Sequence, residues 1–294
     1  MSIYAKEQWD DLIDQTKSLT PKELGDQVWY ILIAAALATS PSPQLLAEFY
    51  TYLTQHNVAF THEDAKQKLS LQFRDLLLKQ VTLNGAPQVL MAMTPLAAAE
   101  GTPQGKAKDS QLSEKCALTL NSFLTYYLAY SDDGVPFRNT IDRDAIHARG
   151  LDTIHSIYGH ELLHNRIFPQ WGYHTADVQF MELFTVYGLY LSDFEQFTPL
   201  ETELIVFVTI SCLGLGTGPA LWHLRGLGRL LGARGMDDKS ESVRKVKDLL
   251  RNIKVAMMGV VEFVGEAFLV KAKLDTWPNV GDVVRVLDGW GEDA

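Results

Sequence analysis

The sequence predicts an all-α protein, on three observations. Apolar residues recur at helical spacing over most of the chain, two Thr-Pro-x-Glu helix starts stand far apart in it, and no long segment alternates as a half-buried strand would. The first element is marked by Trp9, Leu12 and Ile13, the stripe of a short amphipathic helix. Thr20-Pro21-Lys22-Glu23 then offers a threonine cap, a proline at the first helical position and an acid two residues beyond it. Residues 28–38 are apolar on every side, which predicts a helix buried all round, and Thr39-Ser40-Pro41-Ser42-Pro43 ends it.

Leu45, Leu46, Phe49, Tyr50 and Leu53 define the next helix. After the cap-like Thr61-His62-Glu63-Asp64, a helix through residues 69–81 reaches Asn84-Gly85-Ala86-Pro87, and a short one holds residues 89–93. Residues 94–110 are rich in Ala, Gly, Pro, Gln and Lys and read as an irregular, exposed linker. The pattern then recurs. Thr198-Pro199-Leu200-Glu201 repeats the start, residues 204–222 carry no charge, Gly214 to Pro219 break the run, and Leu221, Leu224, Leu227, Leu230 and Leu231 mark an amphipathic helix. Residues 21–53 and 199–231 therefore read as two copies of one helix-turn-helix unit. The expected division is a first repeat at 1–93, a linker at 94–115 and a second repeat at 116–294. Residues 283–287 are the single β-like stretch.

Composition bounds the function. A formal charge of -10 leaves no basic stripe to displace counterions from nucleic acid or to bind an anionic membrane. The nearest candidate, Arg244, Lys245, Lys247 and Arg251, alternates with Val246, Leu249, Leu250 and Ile253, as a solvated helix face does. Residues 204–222 are long enough to span a bilayer, but the Gly/Pro break makes them a buried helix and a turn. Two distant cysteines, Cys116 and Cys212, suit a reducing compartment, and the acidic opening lacks a signal or transit pattern. Cytoplasm is the expected location.

Glu203-Leu204-Ile205 opens the second copy with an acid, and His223-Leu224-Arg225-Gly226-Leu227 places a histidine early in its second helix. Upstream stand Arg149-Gly150-Leu151, Ile157-Tyr158-Gly159 and Tyr187-Gly188-Leu189-Tyr190-Leu191-Ser192, and the first copy closes on residues 77–87. Together these resemble the carboxymuconolactone decarboxylase and alkylhydroperoxidase D superfamily. The resemblance implies two related helical units packed together, no cofactor, a small organic acid or lactone as substrate, and a homo-oligomer covering apolar faces such as Leu183, Phe184, Tyr187 and Leu191.

It also implies a site at His223 and Glu203; if the two form a proton-transfer pair, an apolar pocket should open beside His223 with Trp222 or Arg225 close enough to orient an anionic or planar substrate, whereas the same pair without a pocket would be a structural hydrogen bond. A capping glutamate hydrogen-bonded to a structural histidine, in a non-enzymatic helical assembly protein, is the alternative reading of the same pair. The peroxidase members' Cys-x-x-Cys is replaced here by Gly216 and Pro219, which disfavours a hydroperoxide reductase of that kind. The first copy has Gln27 at the acidic position and Ala47 or Glu48 at that of the histidine, so any activity is expected in the second.

His160-Glu161-Leu162-Leu163-His164 is an HExxH sequence, the spacing that sets two imidazoles on one helix face. With Glu182 as third ligand and Glu161 as base it would make a zinc hydrolase, in a region that also holds His155 and His174. The flanking Gly159 and Arg166 depart from that pattern, so the sequence expectation is an amphipathic helix without bound metal.

Overall fold

The computed structural model describes residues 3–101, 143–215, 217–272 and 289–292. These residues are helical with no strand among them, as expected. The β-like stretch 283–287, Cys116 and the linker beyond Gly101 lie outside the described residues. None of the described helices is long and apolar enough to cross a membrane. The chain divides into two compact units, residues 1–100 with 200–294 and residues 101–199. Both proposed copies fall in the first unit, apart from Pro199.

In the first unit, α1 (Lys6–Leu19) buries Trp9, Leu12 and Ile13, and α2 (Val28–Thr39) is the central helix, with every residue but Trp29 buried. An uninterrupted apolar sequence can be stable only where neighbours cover it on all sides. For α2 they are α1, α3 (Leu45–His56), α4 (Glu63–Ala99) and α10 (Glu241–Val264). Phe49 of α3 stacks on Trp9 and Phe73, at ring separations of 5.5 and 6.1 Å. Pro21 opens only a 3-10 turn, Lys22–Leu24, closed by Gly25 at φ 112°, and α2 starts afresh at Val28. In the second copy α8 (Pro199–Cys212) starts directly at the proline and α9 (Thr217–Gly228) follows a turn. The copies share a helix-turn-helix order but not their opening.

Residues 94–99 are not the expected linker. They are the end of α4, which breaks at Gly85 (φ 76°, ψ 154°) and doubles back. Thirty residues of straight helix would span about 45 Å, yet the Ser70 hydroxyl donates to Glu100 at 2.5 Å and Arg74 pairs with the same carboxylate. Folding back buries Val89 and Ala92 of the short helix expected at residues 89–93, and also Leu96, whose lone large apolar side chain beyond that helix gives no helix signal.

On α10, Arg244 and Lys245 are exposed and Arg251 half-buried, but Lys247 is buried, with its ammonium 5.9 Å from the centre of the Trp290 ring. The solvated-face expectation therefore fails at Lys247, whose position falls on the stripe of Val243, Val246 and Leu250. Ser240 caps this helix by accepting from the Val243 amide at 3.2 Å. Ser240→Ala should lower stability by about 1 kcal/mol, read from urea unfolding.

The second unit is built on α5 (Arg143–Tyr158) crossing a π-helix, Met181–Leu191. Gly150 and Gly188 let the backbones touch, Arg149 Nε donates to the Gly188 carbonyl at 2.7 Å, and the Tyr187 and Tyr158 hydroxyls bond at 3.3 Å. Between them run α6 (His160–Leu162), a π turn (Leu163–Ile167), a 3-10 segment (Phe168–His174) and α7 (Thr175–Phe180). Leu183, Tyr187 and Leu191 are buried in this unit and Phe184 half-buried, so these faces already have a cover and supply no reason of their own for an oligomer.

Candidate functional site

Glu203 lies in the second turn of α8, a helix buried from Glu201 to Cys212, and is itself fully buried. Gly214, at φ 63°, then turns the chain, where a side chain would meet the Lys271 carbonyl at 2.7 Å. The turn brings α9 back beside α8. His223, 4% exposed, sets its Nδ1 at 2.9 Å from Glu203 Oε1. The structure thus joins the two residues expected to meet, twenty positions apart.

Burial pushes the Glu203 carboxyl above its ordinary range, while His223 and the charge of Arg229 pull it partly back. Its Oε2 has no hydrogen-bond partner among the described residues. When the carboxylate is charged, Nδ1–H donates to Oε1; when it is protonated, the carboxyl donates to Nδ1. Arg229, buried in the π turn Arg229–Ala233, was missed by sequence reasoning. A run of leucines and glycines around it gives no signal that the helix widens there.

Of the expected substrate-orienting residues, Trp222 is half-buried beside His223 in sequence. Arg225 is directed to the C-terminal segment, its guanidinium 5.5 Å from the centre of the Trp290 ring. A cavity of about 510 Å³ lies in the same unit, lined by Tyr4, Trp9, Glu48, Tyr52 and Pro95 among others, and neither Glu203 nor His223 lines it.

The first copy carries no acid/histidine pair, as its sequence indicates. Gln27 stands at the N-terminal boundary of α2 without a side-chain capping bond, and its Oε1 receives both the Tyr30 hydroxyl and the Gln72 amide. Ala47 is buried, and Glu48 accepts from the Ile3 amide at 3.0 Å. Cys212 is fully buried and its thiol is pushed far up by that burial, which suppresses the thiolate.

In the second unit α5 ends at Tyr158, and Gly159, at φ 75°, reorients the chain before His160. This kink gathers three imidazoles. His155 Nε2 and His164 Nε2 are 2.9 Å apart, the His160 and His164 ring centres 4.4 Å, and one nitrogen from each of the three lies within 4.8 Å of the others. His155 and His164 are half-buried, and His160 is exposed. Burial and the neighbouring His160 push His164 below the usual imidazole value. Glu182 does not belong to this group, Glu161 accepts from the Asn165 amide, and His174 is exposed.

Compared with known proteins, the chain matches no family model, no curated sequence and no solved structure.

Proposed function

We propose that this protein is a proton-transfer enzyme of the carboxymuconolactone decarboxylase type, acting without a cofactor on a small organic acid or lactone. The carrying observation is the buried Glu203–His223 pair, in which one carboxylate oxygen holds the imidazole and the other has no partner among the described residues. A half-satisfied buried carboxylate is costly, and such costs concentrate at sites that use them.

In this reading Glu203 fixes the tautomer in which Nδ1 carries the proton, and proton transfer at Nε2 to or from carbon beside a substrate carbonyl requires the packing over His223, 4% exposed, to open for substrate. Returning an abstracted proton to another carbon of the enolate shifts the double bond; in a decarboxylation the carboxylate instead leaves as CO2, its bonding electron pair passes into the conjugated carbonyl, and a protonated Nε2 supplies the proton that takes its place on carbon. The nearby Arg229 charge steadies negative charge in the region, and Trp222 supplies an aromatic face on the helix of His223, while Arg225 is engaged with Trp290. The buried Cys212 thiol takes no part.

The test is a turnover screen of lactones, β-keto acids and hydroperoxides with wild type, His223→Gln, Glu203→Gln and Cys212→Ser, each checked for folding by circular dichroism. The expected result is wild-type turnover of a lactone or β-keto acid that falls at least about a hundredfold in kcat in the first two variants and survives in the third. Wild type that turns over nothing, or folded His223→Gln with full kcat, would remove this reading. Hydroperoxide reduction lost in Cys212→Ser would replace it with thiol chemistry.

A further inference from the structure

Three imidazole nitrogens converge at one end of α5, for reasons the local chain makes plain. His160 and His164 are four residues apart and share a face of the helical segment, and the positive-φ Gly159 swings that segment so that His155, in the last turn of α5, joins them. Three imidazoles clustered with ring nitrogens within 4.8 Å cannot all satisfy one another. The single Nε2-to-Nε2 hydrogen bond, His155 to His164, uses one ring as donor and the other as acceptor, and gives His160 nothing.

A zinc ion bound at 2.0–2.1 Å to each of three imidazoles in tetrahedral geometry separates their nitrogens by roughly 3.3 Å. The observed 2.9 Å between two of them, with all three inside 4.8 Å, brackets that spacing, so small ring rotations suffice to bind one. Two partly buried rings and one exposed ring place the cluster at the surface of its unit, where a remaining coordination position is open to water.

We infer that His155, His160 and His164 form a binding site for one divalent transition-metal ion of the zinc, copper and nickel class. An all-imidazole set without a carboxylate selects these ions over magnesium and calcium, which require oxygen ligands. The ligand set differs from the one the HExxH spacing suggests, since His155 takes the place assigned to Glu182. It is independent of the Glu203–His223 pair.

The test is calorimetric titration of the full chain, stripped with chelator, with zinc chloride. One zinc per chain is expected in wild type and in His174→Ala. His155→Ala, His160→Ala and His164→Ala should each weaken binding by at least about a hundredfold, more than loss of an outer partner does. No binding by wild type, or wild-type affinity in folded His155→Ala, would overturn the site. Should the variants fail to fold, histidine modification of wild type by diethyl pyrocarbonate decides the matter. Zinc that protects His155, His160 and His164 but not His174 supports the site, and equal labelling with and without zinc overturns it.

Discussion

His223→Ala should destabilise the native state by roughly 3–5 kcal/mol, the cost of stranding a buried charge that has lost its partner. Glu203 is fully buried, its Oε1 bonds His223 at 2.9 Å and its Oε2 has no partner among the described residues, so no other hydrogen bond there replaces the imidazole and the charge of Arg229 offsets only part of its loss. The double change Glu203→Leu with His223→Leu removes both polar groups and should recover most of the loss.

The pH dependence has a defined sign. A carboxyl whose folded value is raised contributes stability below its unfolded value, near 4.3, and loses that contribution as pH rises through the folded value. His223 pulls the folded value down, so its removal raises it further. The deficit of His223→Ala relative to wild type should therefore grow between about pH 4.5 and pH 7.5. Urea unfolding at both ends of that range measures it, and a deficit independent of pH would mean that the lost stability is packing rather than charge.

Gly150→Ala should cost more than about 3 kcal/mol, at the upper end of overpacking effects. A methyl group there would stand 2.0 Å from the Leu183 carbonyl oxygen and 2.8 Å from the Gly188 nitrogen, both backbone atoms of the π-helix. Side chains can rotate away from an intruding group, but a backbone cannot, so α5 must lift from its partner. That separates Tyr158 from Tyr187 and draws Arg149 from the Gly188 carbonyl. Gly218→Ala is the control, since a methyl group on that helical glycine meets nothing within 4 Å among the described residues. Thermal melting followed by circular dichroism should show the first variant strongly destabilised and the second unchanged or slightly stabilised. Equal melting of Gly150→Ala and wild type would refute the close crossing.

What the sequence determined by itself is local. The helical class, the burial of α2, the break at Gly85 and the end of α8 before Gly214 follow from periodicity and from backbone angles that only certain residues adopt. The meeting of Glu203 with His223 was also legible, because a turn between two adjacent helices sets two residues twenty positions apart side by side.

Tertiary structure decided the contacts that depend on where a chain goes after a break. Gly85 announces an interruption but not a reversal, so the pairing of Glu100 with Ser70 and Arg74, and with it the helical state of residues 94–99, could not be read from composition. The burial of Lys247 depends on Trp290, forty-three residues away, and the cover over Leu183, Tyr187 and Leu191 depends on α5. HExxH spacing names His160 and His164, but it cannot name His155, because a five-residue separation would point elsewhere on a continuous helix. Only the positive φ at Gly159, permitted by the missing side chain and fixed by the packing around it, brings the third imidazole to the other two.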